Sequence, residues 1–455
     1  MQQCEANHQD CHQTSPLQAP TRLIEVSSIG EPLAARLHVS AQNSGNYLAL
    51  SYCWGGPQRH ALIGSKVSEY CISLPYSELP NTILDSFEVT RQLKYRYIWI
   101  DSLCMIQDDR EDMLRELPKM NLIYRNADQT ISVACASSCD EGFLKSRHNG
   151  LYRVPLPRLQ PINERAWTLQ ESLLARRLLI FPGSGVYWKC DTICQSDTSS
   201  KPQSWEFQSH EYFYPAMLGE AWSRAVEGYS MRHLSFEGDK LAAISAIAAN
   251  MSILFRCGYL AGLWRDDLVN GLAWEIYRSP EMPAIVHRTQ SYQAPSWSWA
   301  SITGPISFPE QHRRAIHKPA AEIELCDTSL VSERLPYGAV SAGTLIIRGY
   351  VNEVMIGSTE NTMTTILDIT LAQPTKTYMR LNLDDPSDQK LNTFLLLILF
   401  SESGIAVPKK TKAGLVLTKS SDENAVHRRV GWFDSFNESG PLAGDQWSQR
   451  VVTII

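Results

Sequence analysis

A dense apolar run that stops on an acid constrains this chain most. Residues 95–100 carry Tyr95, Tyr97, Ile98, Trp99 and Ile100. These types favour a pleated, half-buried backbone, so the run reads as a core strand. Asp101 ends it, Cys104 and Gln107 follow, and residues 108–112 are rich in acids. A buried strand that delivers a carboxylate at its carboxyl end is how open α/β sheets build sites. Capping of the next turn is the plainer reason for an aspartate there.

The neighbouring stretches repeat the pattern. Tyr47-Leu48-Ala49-Leu50-Ser51-Tyr52-Cys53-Trp54 runs into Gly55-Gly56-Pro57, a sharp stop that leaves Ser51 and Trp54 at a second strand's carboxyl end. A helix begins near Pro80, with Ile83, Leu84, Phe87, Val89 and Leu93 giving an apolar face. Residues 109–124 read as a second helical stretch, kinked or split by Pro118. Residues 129–134 read as a third strand. Strand, helix, strand, helix, strand implies right-handed crossovers and a parallel sheet, hence an α/β fold. The ends carrying Ser51, Trp54, Asp101 and Cys104 then share one edge.

A Pro-rich link at residues 155–161 precedes Arg165-Ala166-Trp167-Thr168-Leu169-Gln170-Glu171, which opens another helix. Residues 180–181 and 186–188 read as a hairpin turning at Gly183-Ser184-Gly185. That turn opens no helix and lacks a third glycine, so it is no nucleotide loop. Residues 214–275 have helical spacing. Pro295-Ser296-Trp297-Ser298-Trp299-Ala300-Ser301 reads as an aromatic strand. Strand patterns then recur at residues 344–350, 365–371, 394–400, 414–418 and 451–455. The expected organisation is a disordered tail over 1–20, an α/β domain over 21–195, a mainly helical region over 196–300 and a β-rich region over 301–455.

Composition narrows the partners. The chain has 455 residues, 20% charged, with a formal net charge of −6. No basic block marks a nucleic-acid binder. The polar amino terminus resembles no secretory or transit signal, and no apolar run is long enough to span a membrane, which points to the cytoplasm. Eleven cysteines, scattered and odd in number, argue for reduced thiols. Cys4, His8, Cys11 and His12 are metal-ligating types, but their segment has no apolar anchor, so no metal is expected there. Cys135 with Cys139, and Cys190 with Cys194, read as packing thiols.

Three blocks stand together: Ala49-Leu50-Ser51-Tyr52-Cys53-Trp54-Gly55, Trp99-Ile100-Asp101-Ser102-Leu103-Cys104-Met105-Ile106-Gln107, and the Arg165 to Glu171 run. In order and spacing they resemble the heterokaryon-incompatibility (HET) domain of filamentous fungi. Met105 departs from the family's more frequent Ile. Tyr259-Leu260-Ala261-Gly262-Leu263-Trp264 and the run ending at Ser301 resemble the carboxyl-terminal regions of many such proteins. The resemblance implies a parallel core similar to TIR and flavodoxin-like folds. It implies a role in non-self recognition and cell death, with an allelic or non-allelic incompatibility protein or a further copy of the chain as partner. Some TIR domains cleave the nicotinamide–ribose bond of NAD with a glutamate, which implies NAD as a small-molecule substrate and no cofactor. Other HET-domain proteins belong to secondary-metabolite gene clusters, where the domain is a recruited enzyme. A non-catalytic self-association module is the remaining reading.

The candidate chemistry follows. Glu171 can stabilise an oxocarbenium-like transition state; its plain alternative is an ion pair with Arg165. Asp101 can hold a ribose hydroxyl or act as general base. Arg165 can fork onto a phosphate, or bridge to Asp101 or Glu171. Ser51, Gln107 and Gln170 line the same edge, and Trp54 and Trp167 can stack on a flat ligand or simply pack. Cys104 is the alternative nucleophile, with His60 the nearest histidine in the chain, or else a buried packing thiol.

Overall fold

The computed structural model describes residues 2–8, 11, 19–39, 45–144, 160–183, 185–197, 218–278, 285–309, 319–355, 379–391, 393–401, 412–420, 426–435 and 447–455. The Pro-rich link before residue 160, the strand expected at 365–371, Ser184 and His12 lie outside them. The chain divides into two compact units. One is Met1–Phe213 with Arg232–Leu234 and Ala243–Asn250; the other is Tyr214–Met231, Ser235–Ala242 and Met251–Ile455.

The first unit is built on an eight-stranded sheet. Its strands are β1 (Arg22–Val26), β2 (Ala35–Val39), β3 (Tyr47–Ser51), β4 (Tyr97–Trp99), β5 (Gln129–Val133), β6 (Arg177–Phe181), β7 (Tyr187–Cys190) and β8 (Cys194–Ser196), in the order β2-β1-β4-β3-β5-β6-β7-β8. The four central strands, β4, β3, β5 and β6, are parallel. The expected parallel sheet has antiparallel margins, which include the hairpin expected at residues 180–188. β1 and β2 on one side, and β7 and β8 on the other, run antiparallel. Short links force this for β1–β2, β6–β7 and β7–β8, since a parallel return needs a dozen or more residues. The central strands are covered on both faces. Every residue of β3 and β5 is buried, which for β5 includes Gln129, Thr130 and Ser132.

Helices α1 (Gln2–Asn7), α2 (Val67–Ile72), α3 (Asn81–Gln92), α4 (Asp101–Cys104), α5 (Arg110–Glu116), α6 (Met120–Asn126) and α7 (Trp167–Leu174) belong to this unit. Within the described residues of the amino terminus, α1 is helical and Cys4 is buried. α3 buries Ile83 and Phe87, and its buried Ser86 and Thr90 hydroxyls turn back to Ile83 O and Ser86 O at 2.7 Å each. The acids after β4 are structural. Asp109 caps α5 by accepting from Glu111 N and Asp112 N. Asp112 is fully buried, paired to Arg22 and Arg115. Pro118 splits the second helical stretch into α5, a 3-10 turn at Leu117–Lys119, and α6.

In the second unit the β-rich expectation takes the form of a closed ring. The sheet holds β9 (Glu322–Leu330), β10 (Val340–Met355), β11 (Met379–Leu383), β12 (Thr393–Ser401), β13 (Lys412–Lys419), β14 (Val426–Ser435) and β15 (Ser448–Ile454), with β9 flanking β10 and β11 flanking β14. β10, β12, β13 and β14 pair in sequence, and β15 joins β14 back to β10. Closure leaves no open edge among these five strands. Inside the unit, Arg429 and Asp384 are fully buried and paired at 3.1 Å, with the guanidinium 3.4 Å from the Trp274 ring centre.

Residues 295–301 form no strand. Ser298 N donates to Pro295 O, and Ser298 Oγ accepts from Ala300 N, capping a 3-10 turn at Trp299–Ser301. The turn serves the two tryptophan-rich motifs together. Ala261 and Gly262, at positive φ, turn the pair Tyr259–Leu260 and Leu263–Trp264. The Gly262 carbonyl then accepts from both Trp222 Nε1 (2.8 Å) and Trp299 Nε1 (2.9 Å). A Cβ on Gly262 would lie 2.6 Å from Trp299 Nε1, so only glycine fits.

Candidate active site

The parallel strands deliver their carboxyl ends to one edge. Chain order sets where along that edge a crevice opens. β3 is followed in space by β4 on one side, whereas β5 is followed by β6 on the other. The connections leave β3 and β5 in opposite directions, which makes the gap between their carboxyl ends the switch point of the sheet. α7, on the crossover from β5 to β6, packs on β3. It carries Glu171 to Ser51 at the end of β3.

Asp101, Arg165 and Glu171 converge there. Asp101 is the first residue of α4, one past the extended Ile100. Its Oδ2 accepts from Trp54 Nε1 at 3.0 Å and its Oδ1 from Ser102 N at 2.7 Å. The Arg165 guanidinium donates to Tyr52 O and lies 5.8 Å from the Trp54 ring centre. Among the described residues it makes no direct ion pair with either acid, contrary to the salt bridge weighed from the sequence. The three charges still feel one another. Burial pushes the Glu171 carboxyl up to about 7 and the negative charge of Asp101 adds to this; Arg165 and the hydroxyls of Ser51 and Tyr124 oppose it. Burial likewise raises Asp101, against the pull of Arg165. Two desolvated acids beside one guanidinium, one of them titrating near neutrality, have the electrostatics of a general acid–base centre.

Access is graded. Glu171 is 3% exposed and Ser51 2%, whereas Trp54, Asp101, Arg165 and Trp167 are partly exposed. Gly55 and Gly56 beyond them are exposed. Gly55 turns the chain at φ +74, and a Cβ there would meet Ser138 Cβ at 2.5 Å.

The other candidates fall elsewhere. Gln107 spends its amide on Asp101 O (3.3 Å) and Met105 O (3.1 Å), clamping the turn after α4. Gln170 is buried beside Glu171, its Nε2 3.9 Å from Met120 Sδ and its Oε1 without a partner among the described residues. Cys104 belongs to the core. It is 1% exposed, its sulfur accepts from Ile100 N at 3.4 Å, and burial pushes its thiol up to about 12. A thiol so held is protonated and a poor nucleophile. The His60 segment meets Tyr70 through its carbonyl.

Sequence reasoning missed two tyrosines. Tyr124 reads as apolar packing on α6, yet its hydroxyl reaches Leu50 O at 3.1 Å beside Glu171. Tyr52 bonds Ser102 Oγ at 2.8 Å, tying the β3 end to α4. A tyrosine directly after a strand-end serine is the one signal that could have flagged it.

No curated protein and no solved structure matches this chain. A family match stops short of Arg165 and Glu171 but contains Ser51, Trp54 and Asp101: residues 47–156, about 24% of the chain, match the model described as heterokaryon incompatibility protein (HET).

Proposed function

We propose that this chain is a HET-domain protein of fungal non-self recognition and cell death, whose switch-point cluster cleaves the nicotinamide–ribose bond of NAD in the manner of a TIR domain. The convergence of Asp101, Arg165 and Glu171 at the carboxyl edge of parallel strands carries this reading. The HET-type unit is taken to extend over residues 21–195, past the matched segment, because Arg165 and Glu171 complete the cluster. In the reaction the bond between C1′ and the pyridinium nitrogen breaks, and its electron pair leaves with neutral nicotinamide. The ionised Glu171 carboxylate stabilises the oxocarbenium-like centre left on the ribose. Water then bonds to C1′ and gives its proton to Asp101. Arg165 faces the diphosphate, and Trp54 or Trp167 the flat ring. Incubating the full-length protein with NAD tests this. Nicotinamide and ADP-ribose should form in equal amounts, and their absence removes NAD as substrate.

A second reading has its own support. Glu171 is almost fully buried, and Arg165 is already engaged by Tyr52 O and Trp54. On that reading the cluster is the polar core of a recognition module acting by self-association. Glu171→Gln should then leave cell killing intact.

A further inference from the structure

Cys4, His8 and Cys11 were set aside in the sequence for want of an anchor, but the fold supplies one. α1 places Cys4 and His8 four residues apart, on one helix face. His8 N donates to Cys4 O at 3.1 Å and Cys11 N to His8 O at 3.2 Å, bringing Cys11 round behind them. The last residue of β7, Cys190, arrives from the far end of the sheet. One ligand atom from each of the four lies within 4.8 Å of all the others. His8 Nδ1 and Cys190 Sγ are 3.5 Å apart.

Those separations suit one kind of occupant. Tetrahedral zinc, with Zn–S about 2.3 Å and Zn–N about 2.0 Å, sets neighbouring sulfur and nitrogen atoms about 3.5 Å apart and sulfur pairs about 3.8 Å apart. Three thiolates and an imidazole in that geometry select Zn²⁺ over harder cations. We propose that Cys4, His8, Cys11 and Cys190 bind a structural Zn²⁺ that fastens the amino-terminal helix to the β7 edge of the sheet.

The surroundings are those of a ligand shell. Cys4, Cys11 and Cys190 are buried with Trp188 and Ile193 packed against them. The Ile193 N–H points at Cys190 Sγ at 3.4 Å, and Arg177 Nε at Cys4 Sγ at 3.4 Å. Arg177 also donates to Cys11 O at 2.9 Å, and Thr192 Oγ1 lies 3.7 Å from Cys11 Sγ. Donors aimed at ligand sulfurs orient them and spread their charge. Binding releases three protons, one from each thiol, and leaves the centre with one net negative charge, which the Arg177 guanidinium offsets. Four protein ligands leave no open position, so the role is structural.

Metal analysis of the full-length protein, purified without chelator, tests this. About one zinc per chain is expected, falling below ~0.1 in Cys190→Ser and unchanged in Cys194→Ser. Cys190→Ser could fail to fold, so wild-type protein stripped with chelator is also titrated with Co²⁺. Saturation at about one equivalent, with thiolate charge-transfer and intense tetrahedral d–d bands, supports the site. Less than ~0.1 zinc per chain together with no saturable Co²⁺ uptake overturns it. So does equal zinc content in wild type and folded Cys190→Ser.

Discussion

Trp54 Nε1 donates to Asp101 Oδ2 at 3.0 Å, joining the ends of two adjacent parallel strands across 47 residues of sequence. The indole thus belongs to the polar cluster as much as to the core. Its ring faces Arg165 while its edge holds the acid. Trp54→Phe keeps the ring and deletes the donor. The variant should lose about 1–2 kcal/mol in urea unfolding at pH 7, because Asp101 keeps its burial and loses a partner. An unchanged midpoint would mean that water replaces the indole.

Glu171 makes stability depend on pH in a definite direction. Its folded value is about 7 against an ordinary 4.5. Between those values the folded state holds a proton that the unfolded state has released, so stability falls as pH rises through the window. The penalty is absent below about pH 4.5 and complete above about pH 7, roughly 3 kcal/mol in size. Glu171→Gln should therefore be more stable than wild type at pH 8 by roughly 1–3 kcal/mol and level with it at pH 4. Urea titrations at the two pH values decide this, and a variant weaker at pH 8 would contradict it.

Thiol labelling separates the packing cysteines from the accessible ones. Cys71, Cys135 and Cys257 are partly exposed, whereas Cys104 is buried with its thiol pushed up to about 12. Iodoacetamide at pH 8 should modify some of the former in the native protein and reach Cys104 only after unfolding. Fast native labelling of Cys104, read by peptide mass spectrometry, would restore it as a nucleophile.

The second unit rests on a different kind of buried charge. Removing Asp384 leaves Arg429 unpaired in the interior, where its remaining acceptors are Leu272 O and Trp274 O. Asp384→Ala should cost about 3–5 kcal/mol. Replacing the pair together by Met and Leu should cost much less, and a double-mutant cycle in denaturant measures the difference.

The parallel centre of the first sheet was legible because β3 and β4 are short apolar runs stopped by Gly55-Gly56 and by Asp101. Pro118 announced the break between α5 and α6 for an equally local reason. Of the antiparallel margins, the β6–β7 hairpin was legible from its turn at residues 183–185, whereas nothing in β1 states that it will pair with β4. Residues 295–301 misled because alternating tryptophan and serine reads as the two-residue period of a strand, whereas Trp297, Ser298 and Trp299 are all buried in a capped turn, where Ser298 accepts from Ala300 N. Of the candidate site, Asp101 stood out as the acid that ends an apolar run and begins α4, and Arg165 and Glu171 as the charges of one short run, with Glu171 in the middle of α7. Tyr52 and Tyr124 were hidden because a buried tyrosine reads as packing until its hydroxyl finds a partner. Cys190 was hidden for a related reason: its partners lie near the other end of the domain.

The most direct test of a chemical centre at the switch point is the rate of nicotinamide release from NAD as a function of pH, in wild type and in Glu171→Gln. The ionised carboxylate is the working form, so the wild-type rate should rise with pH about a midpoint near 7. The folded Gln variant should be slower by at least about a hundredfold at every pH. A Gln variant as fast as wild type, or no release by either protein, would contradict the account.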